Sequence, residues 1–186
     1  MSQDWRDFIK ELDENGEVNH VSEEVKREYE ITSLMMELDK QHRYPVMIFD
    51  KVADSEFPVL TNILGTRERF ARGLGELRSN PAEIFSQRIN DRYDEVRVVA
   101  DPPFMANSME GDEVDLYKLP IVTHFPIDAG PYVTSGLCVA KDPESGAETL
   151  GFHRMQLKNK NTLGISLHSR QRLWEYFRRS EEQGKN

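Results

Sequence analysis

Apolar residues recur at helical spacing from the start of the chain: Trp5, Phe8, Ile9 and Leu12 fall three and four residues apart. That pattern predicts an amphipathic helix opened by Ser2 and stopped by Asn15-Gly16. Residues 17–21 then read as a strand. Ile31, Leu34, Met35 and Leu38 repeat the helical step, and the apolar run 44–49 reads as a short buried strand. Residues 57–64 predict a further strand, after which Thr66 caps a helix to about Leu74 and Asn80-Pro81 opens another through Ile89. Strand and helix alternate as in a βαβ unit, so a small α/β lobe is expected over residues 1–105. Gly65, Gly73 and Gly75 match no phosphate-loop spacing and are assigned to turns and helix ends. The methionines among these positions are assigned to the core.

Residues 101–112 change character, being rich in Pro, Asn, Ser, Met and acids, and read as a linker. Beyond it, over residues 114–186, strands are expected near 132–140, 148–158 and 162–168, short and antiparallel. A helix from about 169 to 182 follows, with Leu173, Trp174 and Phe177 on one side, and a polar tail 183–186 expected to fray. The fold class is α+β. A closed barrel needs about six strands and only three or four are visible after Leu119, so an unpaired sheet edge is expected. The chain therefore reads as a fragment of a longer enzyme or as one completed by a partner chain.

Between 133–140 and 150–157 lies Asp142-Pro143-Glu144-Ser145-Gly146, the residue types that set a hairpin turn. Such a hairpin places Arg154 beside Thr134 or Ser135. A guanidinium forks onto two oxygens, so an arginine flanked by hydroxyls can grip a phosphate or carboxylate. A strand arginine paired with a surface acid is the alternative that spacing alone leaves open.

The order of several motifs bears on that choice. Leu119-Pro120, His124, Asp128-x-Gly-Pro-Tyr-x-Thr134, Lys141-Asp-Pro-x-x-Gly146 and Gly151-Phe-His-Arg-Met-Gln156 follow one another, and together the chain resembles the UbiD family of decarboxylases. The resemblance is strongest from Leu116 to Arg170 and diffuse before that. It implies reversible, non-oxidative decarboxylation of an aromatic or α,β-unsaturated carboxylic acid on prenylated FMN. The cofactor phosphate is held through a divalent metal, Mn2+ or Mg2+, with K+. The implied fold is a UbiD-like split β-barrel that holds the flavin, of which residues 114–186 would form an incomplete part.

Carried over by the resemblance, Arg154 contacts the cofactor and pairs with a catalytic glutamate and the substrate carboxylate. Thr134 lies near the cofactor, and Phe152 and His153 face it through backbone. Ile165, Ser166, Leu167, Arg170 and Gln171 match the strand end and turn at the isoalloxazine and phosphate. Where the family has an asparagine metal ligand this chain has Thr149, a shorter and weaker donor; Glu148 and His168 are the candidates to compensate. The catalytic glutamate and a second metal-binding glutamate fall downstream of residue 186 in the family pattern. A flavin prenyltransferase is implied as the cofactor's source, and a homo-oligomer or a hetero-oligomer with a chain supplying the missing part as the assembly.

Composition adds exclusions. The net charge of −9 and pI near 5.1 argue against nucleic acid, which needs clustered Lys and Arg. Arg170, Arg172, Arg178 and Arg179 lie among Glu175, Glu181 and Glu182, which reads as a solvated helix face or as the rim of a cofactor-phosphate site. The single Cys138 rules out an internal disulfide framework and is expected to be a buried structural thiol. No apolar run approaches the roughly twenty residues that span a bilayer, and the start lacks a basic region followed by an apolar one. A soluble, cytoplasmic protein is therefore expected. His20 and His42 are expected at the surface. His124 reads either as a turn histidine or as a family-like site residue, and His153 is expected to point away from Arg154.

Three readings follow: a prenylated-FMN-dependent carboxy-lyase or its cofactor-binding part; a truncated, non-catalytic subunit or paralogue that pairs with a complete enzyme; and a generic FMN-binding split-barrel module. The last predicts oxidation of NADH with ordinary FMN.

Overall fold

The computed structural model describes residues 4–75, 80–90 and 99–185. Helix α1 (Trp5–Glu14) is capped by Asp4, whose carboxylate accepts the Arg6 N–H at 2.8 Å. The cap expected at Ser2 lies outside the described residues. Leu12 is fully buried, and the helix stops where Gly16 takes φ +72. There the Gly16 and Glu17 N–H groups bond back to Asp13 and Leu12, the paired closure that a left-handed glycine permits.

Strand β1 (Val18–Val25), helix α2 (Glu30–Lys40) and strand β2 (Val46–Val52) form a βαβ unit with β1 and β2 parallel. β3 (Val59–Thr61) adds antiparallel to β2, giving the order β1-β2-β3. β2 alternates between two cores. Met47 and Phe49 pack with Ile31 and Leu38 of α2, while Val46 and Ile48 meet Leu12 and Val18 on the α1 side. A central strand covered on both faces reads as a continuous apolar run for this reason. Helices α3 (Arg67–Gly73), capped by the Thr66 hydroxyl, and α4 (Pro81–Asn90) follow. Gly65 is required by crowding, because a β-carbon there would stand 1.9 Å from the Asn62 amide oxygen.

Residues 101–119 carry three short 3-10 turns, Pro103–Ala106, Gly111–Glu113 and Leu116–Lys118. The segment 117–123 is then fastened to the β1–α2 connection. Arg27 donates to the Tyr117 and Leu119 carbonyls at 2.8 and 3.3 Å, and the Tyr29 and Thr123 N–H groups bond across to Thr123 and Arg27. Val122 completes the core of α2 and β2.

Five short strands follow where three or four were expected: β4 (Tyr132–Val133), β5 (Leu137–Lys141), β6 (Glu148–Phe152), β7 (Met155–Asn159) and β8 (Thr162–Ile165). They form two sheets, β4-β7-β8 and β5-β6, all antiparallel. The described residues close no barrel. Each long expected strand is broken in two because the chain crosses tightly at Gly136, where a β-carbon would lie 3.0 Å from the His153 carbonyl oxygen. Helix α5 (Arg172–Glu182) buries Tyr176, not Phe177, which is 48% exposed. Only one side of a helix meets the sheet, and position 176 falls on it. α5 packs on β5 and β6.

The lock between α5 and the β5–β6 turn is ionic. Arg179 reaches Asp142 at 2.8 Å and Glu144 at 3.5 Å, while Arg178 and Arg179 both bind Glu175. The solvated, helix-paired reading of this arginine cluster therefore holds for Arg178 and Arg179. Hydrogen bonds from Arg178 and Arg179 pull the Glu175 carboxyl down to about 2. A depressed folded-state value contributes stability above the unfolded value near 4.5 and loses it as pH falls through about 2. Acid titration is thus expected to lower the helical circular dichroism of α5 between those two values, because Glu175 pairs with Arg178 and Arg179 of its own helix. Glu175→Gln should remove the Glu175 share of that step and leave that of Asp142, whose carboxyl is also lowered, chiefly by the Ser145 hydroxyl.

Candidate functional site

The outer face of the β5–β6 hairpin is apolar and open. Leu137 pairs with Phe152 and Val139 with Leu150, and these four are 52, 72, 66 and 62% exposed. Cys138, between them on the opposite face, is half-buried, where full burial was expected. A contiguous exposed apolar patch on a sheet marks a surface that binds something. Val139→Lys is expected to lower both dye binding by 8-anilinonaphthalene-1-sulfonate and self-association, measured by light scattering.

Along the same strand direction Phe152, Arg154, Gln156 and Lys158 alternate with inward residues, and the polarity changes from apolar to cationic. His153 is buried at 8% exposure, pointing away from Arg154 as expected, and donates its N–H to the Gly136 carbonyl at 2.9 Å. Arg154 lies over the Tyr132 ring, 5.4 Å from its centre, a cation–π geometry. It is held by no carboxylate among the described residues, unlike Arg27, Arg69, Arg72, Arg178 and Arg179.

The structure gathers Arg154, Ile165 and Ser166 in one open cavity of ≈ 220 Å³, with Tyr132, Gln156 and Lys158. Thr134 and Ser135 do not join them. They line a neighbouring cavity of ≈ 360 Å³ with His124, Ile31 and Met35, and Tyr132 borders both. Residues 134–136 and 153–154 lie in the break between the paired stretches 132–133 with 155–156 and 137 with 152, and the guanidinium settles over the tyrosine ring, not against the two hydroxyls. Leu167, His168, Arg170 and Gln171 form the turn from β8 into α5, where the Arg170 N–H meets His168 Nδ1 at 3.3 Å. Thr149 sits mid-β6 opposite Ala140, and Glu148 is paired with Lys141 at 3.1 Å. Among the described residues no three His, Cys, Asp or Glu side chains gather as a metal site, so these residues do not by themselves fit a divalent cation. Sequence spacing gives Tyr132, Gln156 and Lys158 no role, although Gln156 and Lys158 alternate with Arg154 along the chain; Tyr132 comes under the arginine by pairing with Gln156.

Comparison with known proteins fits this geometry. Residues 9–89 match the 3-octaprenyl-4-hydroxybenzoate carboxy-lyase N-terminal domain, and residues 96–186 the Rift-related domain of the same enzyme. The fold resembles that of the UbiD-class enzyme HmfF from Pelotomaculum thermopropionicum in complex with FMN. The TM-score is 0.86 at 29% identity, covering 97% of this chain and 40% of that one. A dimeric evolved form of HmfF in complex with prFMN gives the same score. The closed vanillic acid decarboxylase of Sedimentibacter hydroxybenzoicus shares the fold at TM-score 0.89 and 23% identity, covering all of this chain and 41% of that one. An uncharacterised Synechocystis protein is 28% identical over the whole chain, which spans 41% of its length. The solved structures are UbiD-class enzymes, and the mixed α/β fold matches their amino-terminal part. The chain belongs to the 3-octaprenyl-4-hydroxybenzoate carboxy-lyase, or UbiD, family, and spans about two fifths of the length of these relatives. No helix among the described residues is long and apolar enough to cross a membrane.

Proposed function

We propose that this chain is the cofactor-binding, amino-terminal part of a UbiD-type carboxy-lyase that reversibly decarboxylates an aromatic or α,β-unsaturated acid without oxidation. The observation that carries the reading is Arg154, free of any carboxylate partner among the described residues, at the break between β6, whose exposed face carries Leu150 and Phe152, and β7, which carries Lys158. That polarity suits a flavin, whose ring is apolar on its faces and whose tail is an anion. The ≈ 220 Å³ cavity is smaller than the roughly 300–1,000 Å³ of complete ligand sites, so these residues supply one wall. HmfF, a structural neighbour, is itself described with prFMN. When bound, the prenylated flavin supplies the electron sink for loss of carbon dioxide.

In this reading Arg154 contacts the cofactor, holds the substrate carboxylate by its two parallel N–H donors and fixes its orientation, with Tyr132 keeping the guanidinium plane in place. Phe152 and the backbone at His153 face the ring, Thr134 stands nearby, and Ile165, Ser166, Leu167, Arg170 and Gln171 border the ring edge and phosphate. Mn2+ or Mg2+, with K+, belongs to the proposal only with donors beyond Thr149 and His168, and no step is assigned to it. The division into a lobe at 1–105 and a flavin part at 114–186, a cytoplasmic site of action, an oligomer and a flavin prenyltransferase as cofactor source belong to the same reading. The incomplete metal set favours a second one, a non-catalytic subunit that pairs with a complete enzyme.

The test is to co-produce the chain with a flavin prenyltransferase, purify it with manganese and potassium, and record native mass and visible absorption. Bound prenylated flavin is the expected result. A colourless apo-protein would sink the reading of these residues as a working cofactor site. Turnover of any acrylic or aromatic acid by the isolated chain would sink the non-catalytic alternative.

A further inference from the structure

Lys158 shares the Arg154 cavity and is held there by a relay of contacts. The Gln156 side chain donates from Nε2 to the Ala129 carbonyl at 2.7 Å, which fixes its rotamer, and its Oε1 accepts from Lys158 Nζ. The lysine stem lies across Gly164, where a β-carbon would stand 2.7 Å from Cε and 3.3 Å from Cγ. The missing side chain at Gly164 makes room for the lysine, and the glutamine turns its ammonium back along the strand. Gln156 pairs with Tyr132 on one side and Gly164 on the other, so the relay sits at the centre of the β4-β7-β8 sheet. No Asp or Glu lines the cavity, in a chain with 33 acidic and 24 basic residues.

Arg154 and Lys158 line one cavity with no acid beside them, so an anion entering there meets two cations. We propose that Lys158 is a specificity-determining residue that recognises a second negative charge beside the carboxylate gripped by Arg154, so that each ligand binds better when it brings the further oxyanion there. The proposal rests on Arg154 being the carboxylate grip. The shared chemistry is an oxyanion within reach of an ammonium, and it has two sources: a second carboxylate on the substrate or the phosphate monoester of the flavin. An ammonium serves either, being a compact point charge that does not demand planar geometry.

The experiment is calorimetric titration of the 186-residue chain at low salt with two ligand pairs, terephthalate against benzoate and FMN against riboflavin. Lys158→Met keeps the stem over Gly164 and removes the charge. Gly164→Ala keeps the charge and displaces it. A charge-assisted contact predicts at least about a tenfold preference for the doubly charged member, lost in Lys158→Met and reduced in Gly164→Ala. Loss confined to the terephthalate pair assigns the charge to the substrate, and loss confined to the FMN pair assigns it to the cofactor phosphate. Preferences unchanged in Lys158→Met overturn the proposal, as does the absence of any preference in the parent chain. If Arg154→Ala binds every ligand as the parent does while Lys158→Met loses the preference, the reading of Arg154 fails and that of Lys158 stands.

Discussion

Replacing Arg69 with methionine is expected to destabilise the fold by about 3–5 kcal/mol, the cost of breaking a buried ionic cluster from one side. Arg69 is 5% exposed, yet it carries a charge. Its Nε donates to the Ile63 carbonyl at 3.1 Å, its second terminal nitrogen to Tyr44 and to Asn62 at 3.3 Å, and Glu17 stands 3.9 Å away. Arg72 binds Glu17 and Glu11 beside it. One guanidinium therefore joins α3, the loop after β3, the residue before Pro45 and the entry to β1. Methionine fills much of the volume and takes the donor from the Ile63 and Tyr44 carbonyls, while the Asn62 carbonyl keeps the Gly65 N–H. For a chain of this size the melting temperature is expected to fall by about 10 °C, read by circular dichroism. Arg69→Lys should recover little, because an ammonium cannot fork to carbonyls on separate segments. A change under about 1 kcal/mol would show that water replaces the guanidinium at no cost.

Arg154→Ala is expected to weaken flavin capture by about tenfold to a hundredfold with no loss of melting temperature. The two readouts separate because Arg154 packs over the Tyr132 ring and pairs with no carboxylate among the described residues. Arg154→Lys should fail almost as fully: the ammonium can sit over the ring but presents no parallel pair of donors. Absorption of co-purified flavin per mole of chain measures the first effect, and thermal denaturation the second. Benzoate bound at parental affinity by Arg154→Lys would refute the two-pronged grip on a carboxylate. A melting temperature lowered in step with flavin loss would show a structural role instead.

The first lobe was legible because its signals are local. The three- and four-residue apolar steps, Asn15-Gly16 and Thr66 state where α1 and α3 run and stop, and the uninterrupted run at 44–49 announces a strand buried on both faces. β1 ran past the expected residue 21 to Val25, since its edge position lets Ser22, Glu23 and Glu24 stay in water while pairing with β2 continues through a bulge. The candidate site was legible as an order of motifs, and through it Arg154. Its surroundings were not. The breaks at 134–136 and 153–154 arise from a close crossing at Gly136, and a sequence pattern of period two cannot register where two strands meet.

The sequence by itself determined which segments are helix and strand in the first lobe, the parallel βαβ connection, the turn at Asp142–Gly146, the opposite orientation of His153 and Arg154, and the family. These depend on periodicity and on residues whose backbone preferences act within a few positions. Only the tertiary structure decided that Arg154 rests on Tyr132 while Thr134 lines another cavity, that Arg69 is buried, that Tyr176 and not Phe177 faces the sheet, and that Lys158 is folded back beside Gln156. Those outcomes come from contacts between residues far apart in the chain, where burial and the nearest available partner, not local spacing, fix what each side chain does.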